Sequence, residues 1–182
     1  PKLEQYDGKF FLVLQVMMMM PNMVPEQLSV MIGNGFVITF HENKLDCLEV
    51  PKERIRKKLG SARNEGPDYL AYMIIDSVID SYFPILEQYG EDLETLEDEI
   101  LENLGRETIA RIHTVKRNLL NLRRAIWPTR EAINGLLRDG PPLFTKNTEI
   151  HMHDCYDHTV RLIDFTETYR ELGADLMDVY LS

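Results

Sequence analysis

Apolar residues near the amino terminus occur in runs that are typical of β-strands. FFLVLQVMMMM at residues 10–20 is almost continuously apolar, as in a strand that is buried on both faces. Two shorter runs, QLSVMI at 27–32 and FVITFH at 36–41, flank a Gly-Asn-Gly sequence. Because such a connection favours a tight turn, we expect these two runs to form a hairpin.

From residue 67 onwards the spacing of apolar residues becomes helical. Pro67 opens this region, and Pro84 is expected to kink it, since proline cannot donate a backbone hydrogen bond. Two stripes then alternate steps of three and four residues, which is typical of a coiled coil. The first comprises Leu86, Tyr89, Leu93, Leu96 and Ile100, and the second comprises Ile112, Val115, Leu119, Leu122 and Ile126.

A short break at Gly105 separates the two stripes and predicts an antiparallel pair of helices. The first helix is acidic, with no basic residue between positions 87 and 104, and the second is predominantly basic. The acidic face either pairs with the basic helix or holds diffuse cations. Because an exposed ion pair contributes only about 0–1 kcal/mol, we expect partial pairing and some remaining negative potential.

The last predicted helix begins near Asn147, after a Pro-Pro break, and continues to the end of the chain without a stop signal. Its apolar seam comprises Cys155, Leu162, Tyr169 and Leu176, which are seven residues apart. A second line with the same spacing consists of four carboxylates, namely Asp157, Asp164, Glu171 and Asp178. Like charges in line repel one another, so the line is either a solvated face or a set of stacked rings in a bundle, which would concentrate cations.

These patterns predict an α+β protein. Residues 1–66 should form a small β-sheet with flanking helices, including a short basic helix at 51–60. Residues 67–139 should form the antiparallel pair of long helices, acidic and then basic. Residues 140–182 should form a long carboxy-terminal stalk helix.

Composition excludes several classes of function. The 182-residue chain has a formal net charge of −10 and a pI near 5.0, which disfavours nucleic acid as a partner and favours cations. Two distant cysteines without a CxxC motif indicate free thiols in a reducing compartment. No window approaches the ~18–20 apolar residues that span a bilayer, so this stretch of sequence is expected to be soluble and intracellular.

HMHDCYDH, at residues 151–158, offers candidate metal ligands. It superficially resembles the HxHxDH run of metallo-hydrolases, but His151 and His153 point to different sides of a helix. His151, Asp154 and His158 share a face, and Asp157 lies three residues from Asp154. One helix cannot build a closed site alone, so a metal site here would need partners from another helix or subunit.

The final segment, DCYDHTVRLIDFTETYRELGADLMDVYLS, resembles the stalk helix of the CorA-type magnesium and cobalt transporter family. Two preceding segments, PDYLAYMIIDSVIDSYFPILEQYGEDLETLEDEILE and KRNLLNLRRAIWPTREAINGLLRD, resemble the family in the same order. The amino-terminal PKLEQYDGKFFLVLQV also fits, so the resemblance covers essentially the whole chain.

The resemblance implies a homopentamer at the cytoplasmic face of the inner membrane rather than an enzyme. In the family each subunit has a cytosolic α/β domain and a stalk that continues into a pore-lining transmembrane helix. The Gly-Met-Asn motif of the pore lies beyond residue 182. Mg²⁺ and Co²⁺ are the implied transported and regulatory ions. The chain is thus expected to be the cytosolic part of a channel-type transporter.

The resemblance also implies roles for particular residues. In the family, divalent ions bind between neighbouring cytosolic domains and hold the channel closed. Asp154, in the D-x-Y-D-H motif, and Asp76, in the YxxID motif, match ligands of that site. The carboxylates that complete it precede residue 1. Asp178 matches an aspartate that rings the pore mouth, and Asp164 and Glu171 would form further rings of the funnel.

Three other functions remain open at this point. A zinc transporter of the same superfamily would share the fold, a coiled-coil scaffold would assemble without metal, and a metal-dependent hydrolase would use His151, His153, Asp157 and His158. Co²⁺ tolerates imidazole better than Mg²⁺ does, so His151 or His158 could join the ligands when cobalt is present. We expect a monomer or weak oligomer that divalent ions drive towards association.

Overall fold

The computed structural model describes residues 1–19, 23–102, 105–139 and 143–181, with the side chains of residues 102, 106 and 181 left aside. It contains one antiparallel sheet in the order β1-β2-β3-β4. The strands are β1 (Lys2–Tyr6), β2 (Lys9–Met19), β3 (Met23–Gly33) and β4 (Phe36–Phe40). Each strand pairs with the next one in sequence, so the sheet is a meander.

The predicted hairpin is present and is longer than expected. β3 begins at Met23 and pairs with β2 from Met23 to Ile32, while its final residues pair with β4 from Ser29↔Phe40 to Gly33↔Phe36. Gly35 in the connecting turn has a φ of +86°, a backbone conformation that favours glycine. The pattern located this turn correctly because the conformation at Gly35 restricts which residue can stand there.

Five α-helices follow the sheet in the described chain: α1 (Glu49–Arg56), α2 (Pro67–Asp80), α3 (Phe83–Glu102), α4 (Arg106–Asp139) and α5 (Lys146–Leu181). The interruption expected near Pro84 lies at Ser81–Tyr82, between α2 and α3, and Pro84 itself lies in the first turn of α3, where proline is tolerated. Tyr82 is fully buried at the break and donates a hydrogen bond to the carbonyl oxygen of Gln15. The break between α2 and α3 is thereby attached to the sheet.

Helix α5 packs in parallel with α2 and α3 and in a constant register. The Thr148 hydroxyl donates to Asp68, 80 residues earlier, and the Cys155 thiol to Asp76, 79 residues earlier. Beyond the break, Gly90 lies so close to Tyr169 that a Cβ atom on Gly90 would be 2.8 Å from the Tyr169 hydroxyl oxygen. The break at Ser81–Tyr82 therefore bends the chain without shifting its alignment along α5.

Helix α4 runs antiparallel to α3, as the charge pattern predicted. Arg111 pairs with Glu99 across the two helices, and this is the one ion pair between them among the side chains that the structure describes. Arg123 of α4 instead pairs with Glu167 of α5. Most of the acidic face of α3 consequently has no basic partner on α4, and negative potential remains there.

The sequence-based view of membrane spans needs one correction. The stretch Pro67–Leu101 is long and apolar enough to cross a bilayer by length and composition alone. However, more than half of its most apolar part is buried inside the protein. A core helix of a globular domain gives the same pattern, because both must place apolar side chains away from water.

Asp68 connects the start of α2 to the start of α5. Its carboxylate is only 3% exposed and accepts hydrogen bonds from the Thr145 backbone N–H at 2.9 Å, the Thr145 hydroxyl at 3.0 Å and the Thr148 hydroxyl at 2.7 Å. Burial alone would raise the pKa of Asp68, but these hydrogen bonds outweigh burial and hold it below its ordinary value of 3.8. The anion also lies at the positive end of α5.

Replacing Asp68 with asparagine should lower the free energy of unfolding at pH 7 by about 1–3 kcal/mol, since a buried charge-assisted network loses its acceptor charge. Because the folded pKa is depressed, the stabilisation is present above pH 3.8 and disappears as the pH falls through the folded pKa. Urea unfolding at pH 7 and pH 3 measures both effects. The exposed Asp175→Asn is the control, and an equal loss in the two variants at pH 7 would contradict the assignment.

Candidate metal site between α2 and α5

The parallel register brings titratable side chains of α2 opposite those of α5. The ring of His151 stacks on Tyr72, with 4.8 Å between the centroids and 17° between the planes. One turn further along, the Cys155 sulfur lies 3.6 Å from an Asp76 carboxylate oxygen. His158 follows one turn later and meets the end of α2. Side chains that are distant in sequence thus face each other in pairs.

Asp76, Asp80 and His158 form the α2–α5 site. One potential ligand atom of each lies within 4.8 Å of those of the other two. Among the described residues, this is the one group of three or more His, Cys, Asp or Glu side chains that could hold a metal ion. Asp76 and Asp80 are one helical turn apart and therefore share a face of α2. Asp80 is exposed, whereas the other two are half-buried, so the site opens to solvent on one side.

In the described structure, one ring nitrogen of His158 has no hydrogen-bond partner. This atom, Nδ1, is buried. The ring meets Phe83, the first residue of α3, edge to face at 5.9 Å between centroids. Because a buried polar atom without a partner is costly, a ligand that occupies this nitrogen would stabilise the site.

Without a cation, the site is electrostatically unfavourable for the ionised Asp76 carboxylate. The pKa of Asp76 is raised above its usual range by burial and by the neighbouring charge of Asp80. The Cys155 thiol, His158 and Arg54 act in the opposite direction but do not cancel this effect. A divalent cation would remove the repulsion between the two carboxylates and bring the pKa of Asp76 down.

The donor set of the α2–α5 site contains two carboxylates and one imidazole. Carboxylate oxygens suit Mg²⁺, which keeps several water ligands when it binds to proteins. The imidazole suits Co²⁺ and Zn²⁺ better than Mg²⁺. Three protein ligands leave coordination positions for water or for groups from another chain. The arrangement can therefore hold a divalent cation reversibly.

The structure brings together some of the predicted ligands and not others. Asp76 and His158 meet in the α2–α5 site. Asp154 and Asp157 are exposed on α5 outside that group. His151 is held between Tyr72 and Tyr69. The predicted funnel carboxylates are exposed along α5: Asp164, Glu171 and Asp178. Their roles as ligands and rings stay predictions.

Asp80 was missed by the sequence reasoning. Its signal was present in the DSVID segment, where Asp76 and Asp80 have the spacing that places two carboxylates on one helical face. The spacing alone does not reveal that an imidazole from α5, 78 positions later, lies against that face. The metallo-hydrolase hypothesis gains no support from this site. Of the four residues that it requires, only His158 belongs to the described group of candidate ligands.

Comparison with known proteins establishes the family. The whole chain, residues 1–182, matches the family model described as "CorA-like Mg2+ transporter protein". The chain belongs to this family. The resemblance found in the stalk and long-helix segments is thereby confirmed, as is the α+β fold class.

Two relatives support the assignment and a third shares the fold. The cobalt/magnesium transport protein CorA of Thermotoga maritima is 40% identical over 185 residues, covering 100% of this chain and 53% of the relative. The soluble domain of CorA from Methanocaldococcus jannaschii matches with a TM-score of 0.89 and 26% identity, covering 100% of this chain and 73% of that one. The ZntB cytoplasmic domain from Vibrio parahaemolyticus, at 16% identity and a TM-score of 0.79 over 98% of this chain and 70% of that one, shows the fold alone. The CorA-like chain thus spans about half the length of the Thermotoga relative.

The two free cysteines should both be unreactive in the folded CorA-like chain. Burial raises the pKa of the Cys47 thiol to about 11, and burial followed by the charge of Asp76 raises the pKa of Cys155 further. Since the thiolate is the nucleophile, alkylation at pH 8 should be at least ~100-fold slower than in urea. Mass spectrometry of iodoacetamide-treated protein measures this, with Cys47→Ser isolating Cys155. Native labelling of Cys155 at the denatured rate would show that the α2–α5 contact opens.

Proposed function

We propose that this chain is the cytosolic regulatory part of a CorA-type transporter for Mg²⁺ and Co²⁺, and that the α2–α5 site senses the divalent cation. The observation that carries the proposal is the convergence of Asp76, Asp80 and His158 within 4.8 Å. Membership of a transporter family supports the choice of a cation as the ligand. The location that follows is the cytoplasmic face of the inner membrane.

Sensing follows from the charges in the site. Without a cation, the carboxylates of α2 repel each other and Asp76 is held in an unfavourable environment. A bound cation attracts both carboxylates and the His158 nitrogen, so it favours the packed arrangement of α2 on α5. A site with three protein ligands and retained water binds weakly, which suits reversible sensing. The ligand shifts the equilibrium by its preference for the packed state.

Identical subunits are the proposed partners. Phe165 and Leu172 of α5 are 47% and 45% exposed although both are large and apolar, and they are seven residues apart. An exposed apolar line on a helix favours packing against a further copy. Asp154 and Asp157 are exposed nearer the amino terminus of the same helix, where they could complete a cation site between neighbouring copies. A homopentamer of this kind would arrange Asp164, Glu171 and Asp178 as rings.

The donor set also supports a second candidate. An imidazole beside two carboxylates suits Zn²⁺, and the ZntB cytoplasmic domain has the same fold. A zinc transporter is therefore the alternative function, and a comparison of ions separates the two. Binding of Zn²⁺ far in excess of Co²⁺ and Mg²⁺ would favour it.

Cation binding should raise the thermal unfolding midpoint of the chain, because a ligand that binds only the folded state stabilises it. Asp80→Asn should weaken Co²⁺ binding at least about tenfold, equivalent to 1.4 kcal/mol. In the absence of metal the same variant should be more stable than the wild type by about 0.2–0.5 kcal/mol, since a like-charge pair one turn apart is removed. Titration calorimetry and urea unfolding without metal measure the two effects.

Three variants complete this test. Asp175→Asn removes an equal charge from an exposed position of α5 and should change neither quantity. His158→Ala should weaken Co²⁺ more than Mg²⁺, because imidazole is a poor ligand for Mg²⁺. His151→Ala tests the other predicted imidazole. If Asp80→Asn binds Co²⁺ as the wild type does, the α2–α5 site is not the sensor.

Divalent cations should also promote association of the chain, and Asp154→Ala should reduce that effect. The physical reason is that Asp154 is exposed, so a cation bound to it must take its remaining ligands from a second copy of the chain or from water. Sedimentation velocity across a titration of Mg²⁺ and Co²⁺ measures the change in mass. Association that is identical in the wild type and Asp154→Ala would exclude Asp154 as an intersubunit ligand.

A further inference from the structure

A hollow of about 220 Å³ lies beside the α2–α5 site, between α1 and α2. Asp76 and Asp80 form part of its α2 wall, together with Met73, Ser77 and Ser81. Val50, Pro51 and Arg54 of α1 form the opposite wall. A guanidinium group and two carboxylates therefore border the same small space.

Arg54 has no direct partner in the described structure. Its side chain makes no ion pair and no hydrogen bond with any described residue. Its charge nevertheless acts on the neighbouring acid across the hollow, where it lowers the pKa of Asp76, and it acts likewise on the Tyr72 hydroxyl. The guanidinium is thus close enough to lower the pKa of Asp76 through its charge, but too far away to form an ion pair with that carboxylate.

The next arginine of the same helix provides a contrast. Arg56 lies two residues later and pairs with Glu49 at 3.8 Å. Lys57, beside it, pairs with Glu53 at 2.9 Å. Of the basic residues in this part of α1, Arg54 is the one that borders the hollow. Its position is therefore not explained by surface ion pairing within α1.

We propose that Arg54 is a built-in counter-cation that competes electrostatically with the divalent cation for the α2–α5 site and thereby sets the affinity of that site. This inference rests on the function proposed above. When the site is empty, the guanidinium partly offsets the two carboxylates across the hollow. When a divalent cation binds, its two positive charges repel the guanidinium, which is exposed and can turn towards solvent without disturbing α1.

The competition has a direct consequence for the ion concentration to which the site responds. A positive charge within several ångströms weakens the binding of another cation through Coulomb repulsion, and salt screens this repulsion at a solvent-accessible site. Removing the positive charge of Arg54 should tighten cation binding, whereas a substitution that keeps the charge should leave the affinity at the wild-type value. The effect should be largest at low ionic strength.

Arg54→Gln should bind Co²⁺ about three- to tenfold more tightly than the wild type at low salt. The gain should shrink markedly at 0.5 M NaCl because of screening. Arg54→Lys keeps the charge and should stay within about twofold of the wild type. Arg56→Gln, the matched control on the same helix, should also bind Co²⁺ within about twofold of the wild type. Titration calorimetry of the 182-residue chain with CoCl₂, repeated with MgCl₂, measures all four proteins.

The outcomes separate this inference from the proposed function. Tighter binding by Arg54→Gln alone supports the counter-cation. Saturable binding by the wild type that is unchanged in Arg54→Gln overturns the counter-cation and leaves the metal site intact. Equal tightening in Arg54→Gln and Arg56→Gln also overturns it, since net charge would then explain the effect. Saturable Co²⁺ binding that persists in Asp80→Asn would overturn the site itself, and this inference with it.

Discussion

The fixed register between α5 and the pair α2–α3 is the constraint on which the rest of the structure depends. Asp68 holds the start of α5 through Thr145 and Thr148, and Gly90 allows Tyr169 to approach closely further along. Because these contacts all join residues 77 to 80 positions apart, the side chains between them have determined neighbours. Asp80 meets His158 for this reason, and a slip of one residue along α5 would turn that imidazole away from the carboxylates.

The same register places the apolar core of the helices next to a carboxylate, that of Asp76, whose ionised form is unfavourable there. Leu162 and Ile163 of α5 are buried against the other helices, and Cys155 is buried beside Asp76. The burial that stabilises the fold also raises the free energy of the ionised Asp76 carboxylate. A divalent cation would reverse that cost without changing the apolar contacts. Under the proposed function, cation binding and helix packing would be coupled in this one interface, which is the physical basis of a sensor.

Charge is distributed unequally over the helices, and this distribution bears on the same site. The basic helix α4 pairs with Glu99 on α3 and with Glu167 on α5, so the acidic face of α3 keeps most of its negative potential. The net charge of −10 raises the local concentration of cations around the protein. In the proposed counter-cation role, the positive charge of Arg54 opposes that general attraction of cations at the α2–α5 site. Under the two proposals, the affinity of the α2–α5 site for a divalent cation would reflect both contributions.

The sequence by itself determined the central part of the sheet, the β3–β4 hairpin, the two apolar helical stripes, the long last helix and the family, whereas β1 and the first half of β3 were not predicted. These features depend on periodicity and local motifs, which repeat within a few residues. It also indicated Asp76, through the YxxID motif that resembles the family, and His158, through the helix face that it shares with His151 and Asp154. Only the tertiary structure brought Asp80 and Arg54 to the same place and held His151 against Tyr72 instead. The contacts of α2 with α5 depend on helix register over about 80 residues, and no local pattern encodes that alignment, because it results from buried contacts between distant segments.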